Sequence, residues 1–232
     1  MNQARQETHE DVCPYCGGDG FIYKIDADGY EYAEPCVCEL ARRQKTKLAR
    51  SGLVDINRQT LDKFRVRYKW QQDLKEKAEQ YLQEEGRPWF FIGGQVGAGK
   101  THLCTGICLE LIDRGEQVRY EVWAKISGEL KALRNEEEFA EEMKALQDIE
   151  TLYLDDFFRR TTITESDRSL AWELLNGRYI NGKRTIISSE RYLEWITEID
   201  EAIGSRIYQR TNGYVINARK EKGRNQRMEV SV

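Results

Sequence analysis

Residues 89–101 read WFFIGGQVGAGKT, and this stretch decides the fold. Its first residues are wholly apolar, which is typical of a central strand in a parallel sheet that is covered on both faces. The following residues satisfy the phosphate-binding pattern G-x-x-x-x-G-K-[ST] between that strand and a helix predicted over 101–115. Glycines let such a loop wrap closely around an anion, so that backbone N–H groups and the positive end of the helix face it. The stretch therefore predicts a nucleoside triphosphate site formed by Gly94, Gln95, Val96, Gly97, Ala98, Gly99, Lys100 and Thr101.

The chemistry of this site needs an acid, and a second apolar strand supplies two. Residues 151–156 read TLYLDD. Lys100 is expected to reach the β- and γ-phosphates, and the Thr101 hydroxyl and Asp155 are expected to hold Mg²⁺. Asp156 is expected to orient or deprotonate the attacking water. We expect the loop and the acids to meet at adjacent strand tips, so that the chain grips magnesium-bound ATP.

The remaining pattern alternates strands with helices. Strands are predicted at 89–94, 117–124, 151–156, 184–189 and 213–218, and helices at 61–85, 101–115, 124–134, 136–147, 165–182 and 191–210. Repeated βα units with short connections imply a doubly wound, five-stranded parallel sheet of the α/β class.

A cluster of cysteines sets the N-terminal segment apart. Cys13, Cys16, Cys36 and Cys38 form two short knuckles around a hairpin predicted to turn at 26–29. Thiolates in this arrangement match a closed tetrahedral Zn²⁺ site, and a reduced or redox-active cluster is the alternative. A segment of this size buries little surface, so a metal would supply missing stability. The basic helix predicted over 39–50 follows.

Composition bounds the remaining possibilities. Hydrophobic residues make up 40% of the chain and charged residues 33%, with a formal net charge of −4. These values are typical of a globular protein, and any contact with nucleic acid must come from a local basic patch. No apolar run approaches the ~18 residues that span a bilayer and the first residues lack the apolar stretch of a secretory signal, so a cytoplasmic protein without membrane contact is expected. We predict two domains, a zinc-binding module at 1–50 and a P-loop domain at 51–232.

Several segments together resemble the DnaC/DnaI/IstB branch of the AAA+ ATPases. They are the P-loop through Leu103, LYLDDF, LLNGRYINGKRTIISS and GSRI, and the resemblance covers residues 50–227. It is greatest to bacterial or phage loaders of the replicative helicase, and it implies an AAA+ domain without a helical lid. The resemblance further implies an arginine finger at Arg206, a sensor at Ser189, and ATP contacts from His102 and Arg227. Glu190 stands where the branch carries an amide, and for this reason Ser189 is preferred.

The same resemblance implies partners and cofactors. The partners are a replicative helicase hexamer, single-stranded DNA and further copies of the chain in an AAA+ spiral; the cofactors are ATP, Mg²⁺ and Zn²⁺. DNA contact is assigned to basic residues near the third and fifth strands, namely Arg159, Arg160, Arg219, Lys220, Lys222 and Arg224. Such charge runs are also common on solvated faces.

Together these features predict an ATPase that loads the replicative helicase onto single-stranded DNA during initiation. An IstB-like transposition helper is one alternative. Another is a zinc adaptor that holds nucleotide without turnover, because the CPYCGGDG knuckle also resembles those of DnaJ-type chaperones and the water-activating acid is an aspartate.

Overall fold

The structure, a computed structural model, describes residues 12–221 and 223–228. These residues form two compact units, one ending at Lys47 and one beginning at Leu48. The predicted domain boundary after residue 50 falls in the same helix, α1 (Val37–Ser51). None of the helices in the described ranges is both long enough and apolar enough to cross a membrane.

The first unit contains the predicted hairpin. Strands β1 (Phe21–Ile25) and β2 (Glu31–Pro35) pair antiparallel. The Asp26 carboxylate accepts hydrogen bonds from the backbone N–H groups of Asp28 and Tyr30, each at 2.9 Å. This aspartate therefore closes the turn, as its position at the start of the predicted turn suggests.

The second unit is a parallel sheet with helices on both faces. Its strands are β3 (Phe90–Gly94), β4 (Val118–Val122), β5 (Thr151–Asp155), β6 (Arg184–Ser189) and β7 (Val215–Ala218). Its helices are α2 (Lys69–Tyr81), α3 (Lys100–Asp113), α4 (Trp123–Ala132), α5 (Glu137–Asp148), α6 (Glu165–Ile180), α7 (Leu193–Ile199) and α8 (Glu201–Thr211). The predicted five-stranded parallel sheet is confirmed, and among the described residues no helix follows β7.

The strand order corrects one expectation. The order is β4-β5-β6-β3-β7, so β6 lies between the strand that leads into the P-loop and the strand that carries the acids. Loop and acids therefore do not end adjacent strands, as the sequence suggested. Because all five strands are parallel, their carboxyl ends still share one edge of the sheet, where a ligand binds in such folds.

Alternate residues of β3 enter different cores. Phe91 packs in one buried cluster with Leu154 and Ile187, whereas Phe90 and Ile92 pack in the other. All of β3 is buried, which accounts for its continuous apolar sequence.

Two predicted helices are wrong in their extent. The helix expected at 61–85 begins only at Lys69, because Leu61 and Phe64 pack against α3 and the P-loop instead of continuing a helix. A Cβ on Gly106 would lie 2.7 Å from Leu61 Cδ2, so this contact is close. The helix expected at 191–210 divides at Asp200, whose carboxylate caps α8 by accepting the Ile203 N–H at 3.0 Å.

Candidate functional site

The loop between β3 and α3 is so tightly wrapped that it requires glycine. Gly94, Gly97 and Gly99 have φ values of +116°, +77° and +82°. A Cβ on Gly94 would lie 2.2 Å from the Ala218 carbonyl oxygen, and one on Gly97 would lie 1.9 Å from Asn225 Oδ1. Loops of this kind direct successive N–H groups toward one point at a helix N-terminus, which is an anion site.

The Lys100 ammonium lies within this loop. Its Nζ donates to the carbonyl oxygens of Gly94 and Gln95, each at 2.9 Å, and the residue is 7% exposed. Burial lowers the pKa of Lys100, while three carboxylates across the cleft oppose that shift. The Lys100 ammonium can therefore exchange its two carbonyl acceptors for phosphate oxygens when an anion enters the loop.

Asp155, at the end of β5, accepts hydrogen bonds from hydroxyl groups on four elements, namely α3, β4, β5 and β6. Its carboxylate accepts from Thr101 at 3.3 Å, Tyr120 at 3.1 Å and Tyr153 at 2.9 Å, and also from Ser188. Burial raises the pKa of both tyrosines, so they remain protonated donors. The predicted pairing of Thr101 with Asp155 is therefore present. It forms an oxygen donor set of the kind that Mg²⁺ prefers.

The Asp156 carboxylate forms an ion pair with the Arg159 guanidinium. Asp156 has a left-handed backbone, with φ of +53°, and its Oδ2 lies 3.0 Å from Arg159 Nη1. Arg159 Nε also lies 3.4 Å from Glu190 Oε1. Burial and the Asp155 charge raise the pKa of Asp156, and the Arg159 guanidinium partly offsets this shift. Arg159, predicted to contact DNA, therefore lies in the nucleotide cleft and partly neutralises the Glu190 carboxylate.

The serines that end β6 have different surroundings. Ser188 Oγ donates to Asp155 and lies 3.4 Å from the Asp156 backbone nitrogen. The Ser189 hydroxyl donates to the Phe157 carbonyl at 2.6 Å and is fully buried. The structure thus brings Ser188, rather than the predicted Ser189, to the paired acids.

A cleft of about 490 Å³ joins these groups. The predicted residues that line it are Val96, Gly97, Gly99, Lys100, Thr101, His102, Asp155, Asp156, Arg159 and Arg227. Sequence reasoning missed Gln59 and Gln226 as lining residues. It also favoured Ser189 over Glu190 as the sensor, but Glu190 lines the cleft and the buried Ser189 does not. Gln226 reaches the loop by tertiary packing, with its N–H donating to the Gly97 carbonyl at 3.0 Å, and no motif marks that contact.

A second hollow of about 220 Å³ adjoins the cleft through Gly99 and His102. Its walls include Phe64 and Gln71. His102 Nε2 lies 2.9 Å from the Thr60 carbonyl oxygen, and its ring meets Phe64 edge to face at 5.3 Å. Planar side chains around a half-open hollow beside a phosphate loop suit a flat heterocycle.

The other predicted basic residues lie in several places. Arg160, Arg219 and Lys220 are exposed, whereas Arg224 stacks on Trp70 at 5.0 Å and pairs with an acid. Lys222 lies outside the described residues. Arg206, the predicted finger, lies on α8 and is not among the residues that line the cleft.

The four cysteines of the first unit converge. Their Sγ atoms all lie within 4.8 Å of one another, with Cys13–Cys36 at 3.6 Å and Cys16–Cys38 at 3.4 Å. Tetrahedral Zn–S bonds of ~2.3 Å place sulfurs ~3.8 Å apart, so the set fits Zn²⁺. Burial opposes thiolate formation at Cys16, but the N–H of Gly20 and neighbouring thiols lower its pKa to about 7. The hydrogen bond with Cys16 conversely raises the pKa of Cys38 to about 12, so a metal must displace the proton of that thiol to bind all four sulfurs.

The fold and the cleft define a P-loop nucleotide-binding protein of the AAA+ class. The chain belongs to the family of IstB-like ATP binding proteins, whose sequence profile matches residues 39–224.

Relatives within this class are moderately similar. YqaM of Bacillus subtilis is 36% identical over 136 residues, which cover 56% of this chain and 42% of YqaM. The phage-like element PBSX protein XkdC of the same organism is 29% identical over 220 residues, 88% of this chain and 81% of XkdC. The replicative helicase loader DnaC of Escherichia coli is 26% identical over 175 residues, 73% of this chain and 70% of DnaC.

A solved structure shares the fold. The crystal structure of the DnaC helicase loader superposes with a TM-score of 0.60 at 21% identity, covering 68% of this chain and 97% of that one. This likeness concerns the P-loop fold alone.

Proposed function

We propose that the protein is an ATPase that loads the replicative helicase onto single-stranded DNA. The observation that carries the proposal is the convergence of Lys100, Thr101 and Asp155 in one cleft, with Thr101 Oγ1 3.3 Å from Asp155 Oδ1. The choice of a loader is supported by the extended similarity to a replicative helicase loader, which covers 73% of this chain.

In this proposal each cleft residue has one task. The loop N–H groups and Lys100 bind the phosphates, and Thr101 with Asp155 holds Mg²⁺, which when bound neutralises phosphate charge. Asp156 accepts the proton of the attacking water once its carboxylate is released from Arg159. The hollow beside His102 takes the nucleoside. Ser188 orients the acids, whereas Ser189, which the resemblance makes the sensor, donates its hydroxyl to the Phe157 carbonyl.

The proposal also includes contacts with a second copy of the chain and with DNA. Arg206 of one copy is proposed to complete the ATP site of the next in a spiral, because it lies outside its own cleft. Arg160, Arg219 and Lys220 remain candidates for DNA contact because they are exposed.

The module at 1–50 is proposed to bind zinc and grip the helicase hexamer. Cys13, Cys16, Cys36 and Cys38 would hold the metal, and the converging thiols support that reading. Metal analysis should find about one zinc per chain. Cys16→Ser should lose the metal and helicase binding, while nucleotide binding by the second unit persists. Stoichiometric capture of helicase by metal-free protein would contradict this assignment.

Loading itself is tested with a purified replicative helicase and circular single-stranded DNA. Helicase should become bound to the circles only with this protein and ATP, and Lys100→Ala should abolish that transfer. Phosphate release measured in parallel separates a motor from a protein that only holds nucleotide. Loading that is unchanged by Lys100→Ala would refute the proposal.

A second candidate, an IstB-like transposition helper, is favoured by the family match over residues 39–224. Such a protein should prefer duplex DNA and leave helicase recruitment unchanged. A third, a nucleotide-holding adaptor, is favoured by the ion pair between Asp156 and Arg159, which occupies the candidate base. It should bind ATP without releasing phosphate.

A further inference from the structure

The NGRY sequence at 176–179 serves two faces of α6. Gly177 lies against the Gln147 side chain, where a Cβ would be 2.5 Å from Gln147 Cδ. Arg178 is fully buried, and its guanidinium donates to the carbonyl oxygens of Leu146 and Ile149 at the end of α5. These two residues hold α6 to α5 and leave the roles of Asn176 and Tyr179 to be explained.

Asn176 and Tyr179 belong to a different face, which also carries Trp172. Residues spaced by three and four positions share one side of a helix. All three side chains meet Arg206 of α8. Arg206 Nε donates to Asn176 Oδ1 at 3.0 Å, and its Cζ lies 3.8 Å above the Trp172 ring and 5.4 Å from that of Tyr179.

The surroundings fix the plane of the Arg206 guanidinium without neutralising it. Nη1 donates to the Ala202 carbonyl at 3.1 Å, and Nη2 has no hydrogen-bond partner among the described residues. No carboxylate in the described ranges lies within ion-pair distance of it, in contrast to Arg159 and Arg224. The helix that carries Arg206 is itself closely packed, since Gly204 lets α8 approach Thr197 of α7. The cation is therefore oriented and still unpaired.

An arginine without such contacts samples many rotamers, and ordering it costs side-chain entropy. Stacking on an aromatic face and one directional hydrogen bond remove that freedom before a ligand arrives. A buried carboxylate would order it equally well but would cancel its charge. An amide oxygen and an aromatic ring order the guanidinium and keep it positive.

We propose that Asn176 and Trp172 are positioning residues that hold Arg206 ready to contact the phosphates bound by a second copy of the chain. This inference rests on the proposed role of Arg206 across a copy-to-copy contact. It assigns to α6 a task that the P-loop chemistry leaves unexplained, and the Tyr179 ring, 5.4 Å from Arg206 Cζ, adds a second aromatic contact.

The test uses mixtures of two full-length variants with ATP, Mg²⁺ and a single-stranded oligonucleotide. One chain carries Arg206→Ala and keeps an intact P-loop, so it can hydrolyse only with an arginine from its neighbour. The other carries Lys100→Ala and donates that arginine. Adding Asn176→Ala to the donor chain should lower kcat of the mixture by ~10–100-fold, the loss expected from a small misplacement of a catalytic group. The KM for ATP should not change.

Directional controls separate positioning from general damage. Asn176→Ala added to the hydrolysing chain should have no further effect, because that chain has no Arg206 to position. Asn176→Gln in the donor keeps a neutral amide acceptor and should restore part of the turnover, whereas Asn176→Asp pairs the guanidinium with a carboxylate and should not. Asn181→Ala, an exposed asparagine at the end of the same helix, should be neutral. Should Asn176→Ala fail to fold, Trp172→Leu against Trp172→Phe tests the stacking partner in the same mixture.

The outcomes distinguish the two levels of the proposal. If donor chains lacking Arg206 support as much hydrolysis as intact donors, the copy-to-copy role itself is wrong. If only Arg206→Ala matters and donor Asn176→Ala and Trp172→Leu are both silent, the finger stands and the positioning inference is wrong.

Discussion

Replacing Asp155 by asparagine should change nucleotide affinity in opposite directions with and without Mg²⁺. The Asp155 carboxylate lies 3.3 Å from the Thr101 hydroxyl and is 6% exposed, so it acts on a cation held at that hydroxyl with little screening. A charge pair ~5 Å apart at an effective dielectric of ~20–40 is worth ~1.5–3 kcal/mol. Asp155→Asn should therefore weaken magnesium–ATP binding ~10–100-fold.

Without Mg²⁺ the same carboxylate only repels the phosphates. Asp155→Asn should then tighten ATP binding, by a few-fold, because the unscreened charge is gone. The fold should survive: the asparagine Oδ1 keeps its acceptor role toward Tyr153 and Ser188, and the Tyr120 hydroxyl can turn to accept from the new amide.

Calorimetric titration of ATP into zinc-loaded protein, in magnesium-containing and magnesium-free buffer, measures both affinities. Asp73→Asn is the matched control, since that exposed aspartate pairs with Lys69 on the surface of α2, away from the cleft residues. Equal changes in the two buffers would refute the reasoning, and so would an unchanged magnesium–ATP affinity. A misfolded variant would bind in neither buffer, and the reversal of sign excludes that explanation.

Three further outcomes are expected. Arg178→Met should lower the free energy of unfolding by ~3–5 kcal/mol in urea titrations, because it leaves buried carbonyl oxygens without donors. Gly97→Ala should lose ATP binding and cost ~1–2 kcal/mol from its positive φ, whereas Gly128→Ala, in open space on α4, should be neutral or stabilising in thermal melts. If Asp156 is the base, phosphate release falls as pH drops through its raised pKa. Removing the cation in Arg159→Ala should move that fall to higher pH, and a pH profile of kcat that does not move would count against the assignment.

Local signals were sufficient for the elements that carry chemistry. The P-loop is a continuous stretch whose glycines are required by its own backbone, as the positive φ values of Gly94 and Gly97 show. The apolar run ending in Asp155 and Asp156 needed no partner to be identified as a strand end. The cysteine knuckles are equally local, because each pair is separated by a few residues and joined by a short hairpin.

Spacing could not reveal which distant groups surround those elements. The insertion of β6 between the loop strand and the acid strand brings Ser188, not Ser189, to the acids. Because Leu61 packs on α3, the helix that periodicity predicted from residue 61 begins only at Lys69. Arg159 lies in the nucleotide cleft, although the basic sequence around it indicated a DNA contact.

The sequence by itself determined the phosphate loop, its acids, the parallel sheet and the cysteine set, because each depends on backbone conformation or on residues close together in the chain. Only the tertiary structure decided the neighbours of Asp155 and the ion pairs of Arg159 with Asp156 and Glu190. It also decided the hydrogen bond from Arg206 to Asn176, which lies thirty positions earlier in the chain. Those contacts arise from the order of strands and the packing of helices. Both are settled by burial summed over the whole domain, and no single stretch of residues encodes that sum.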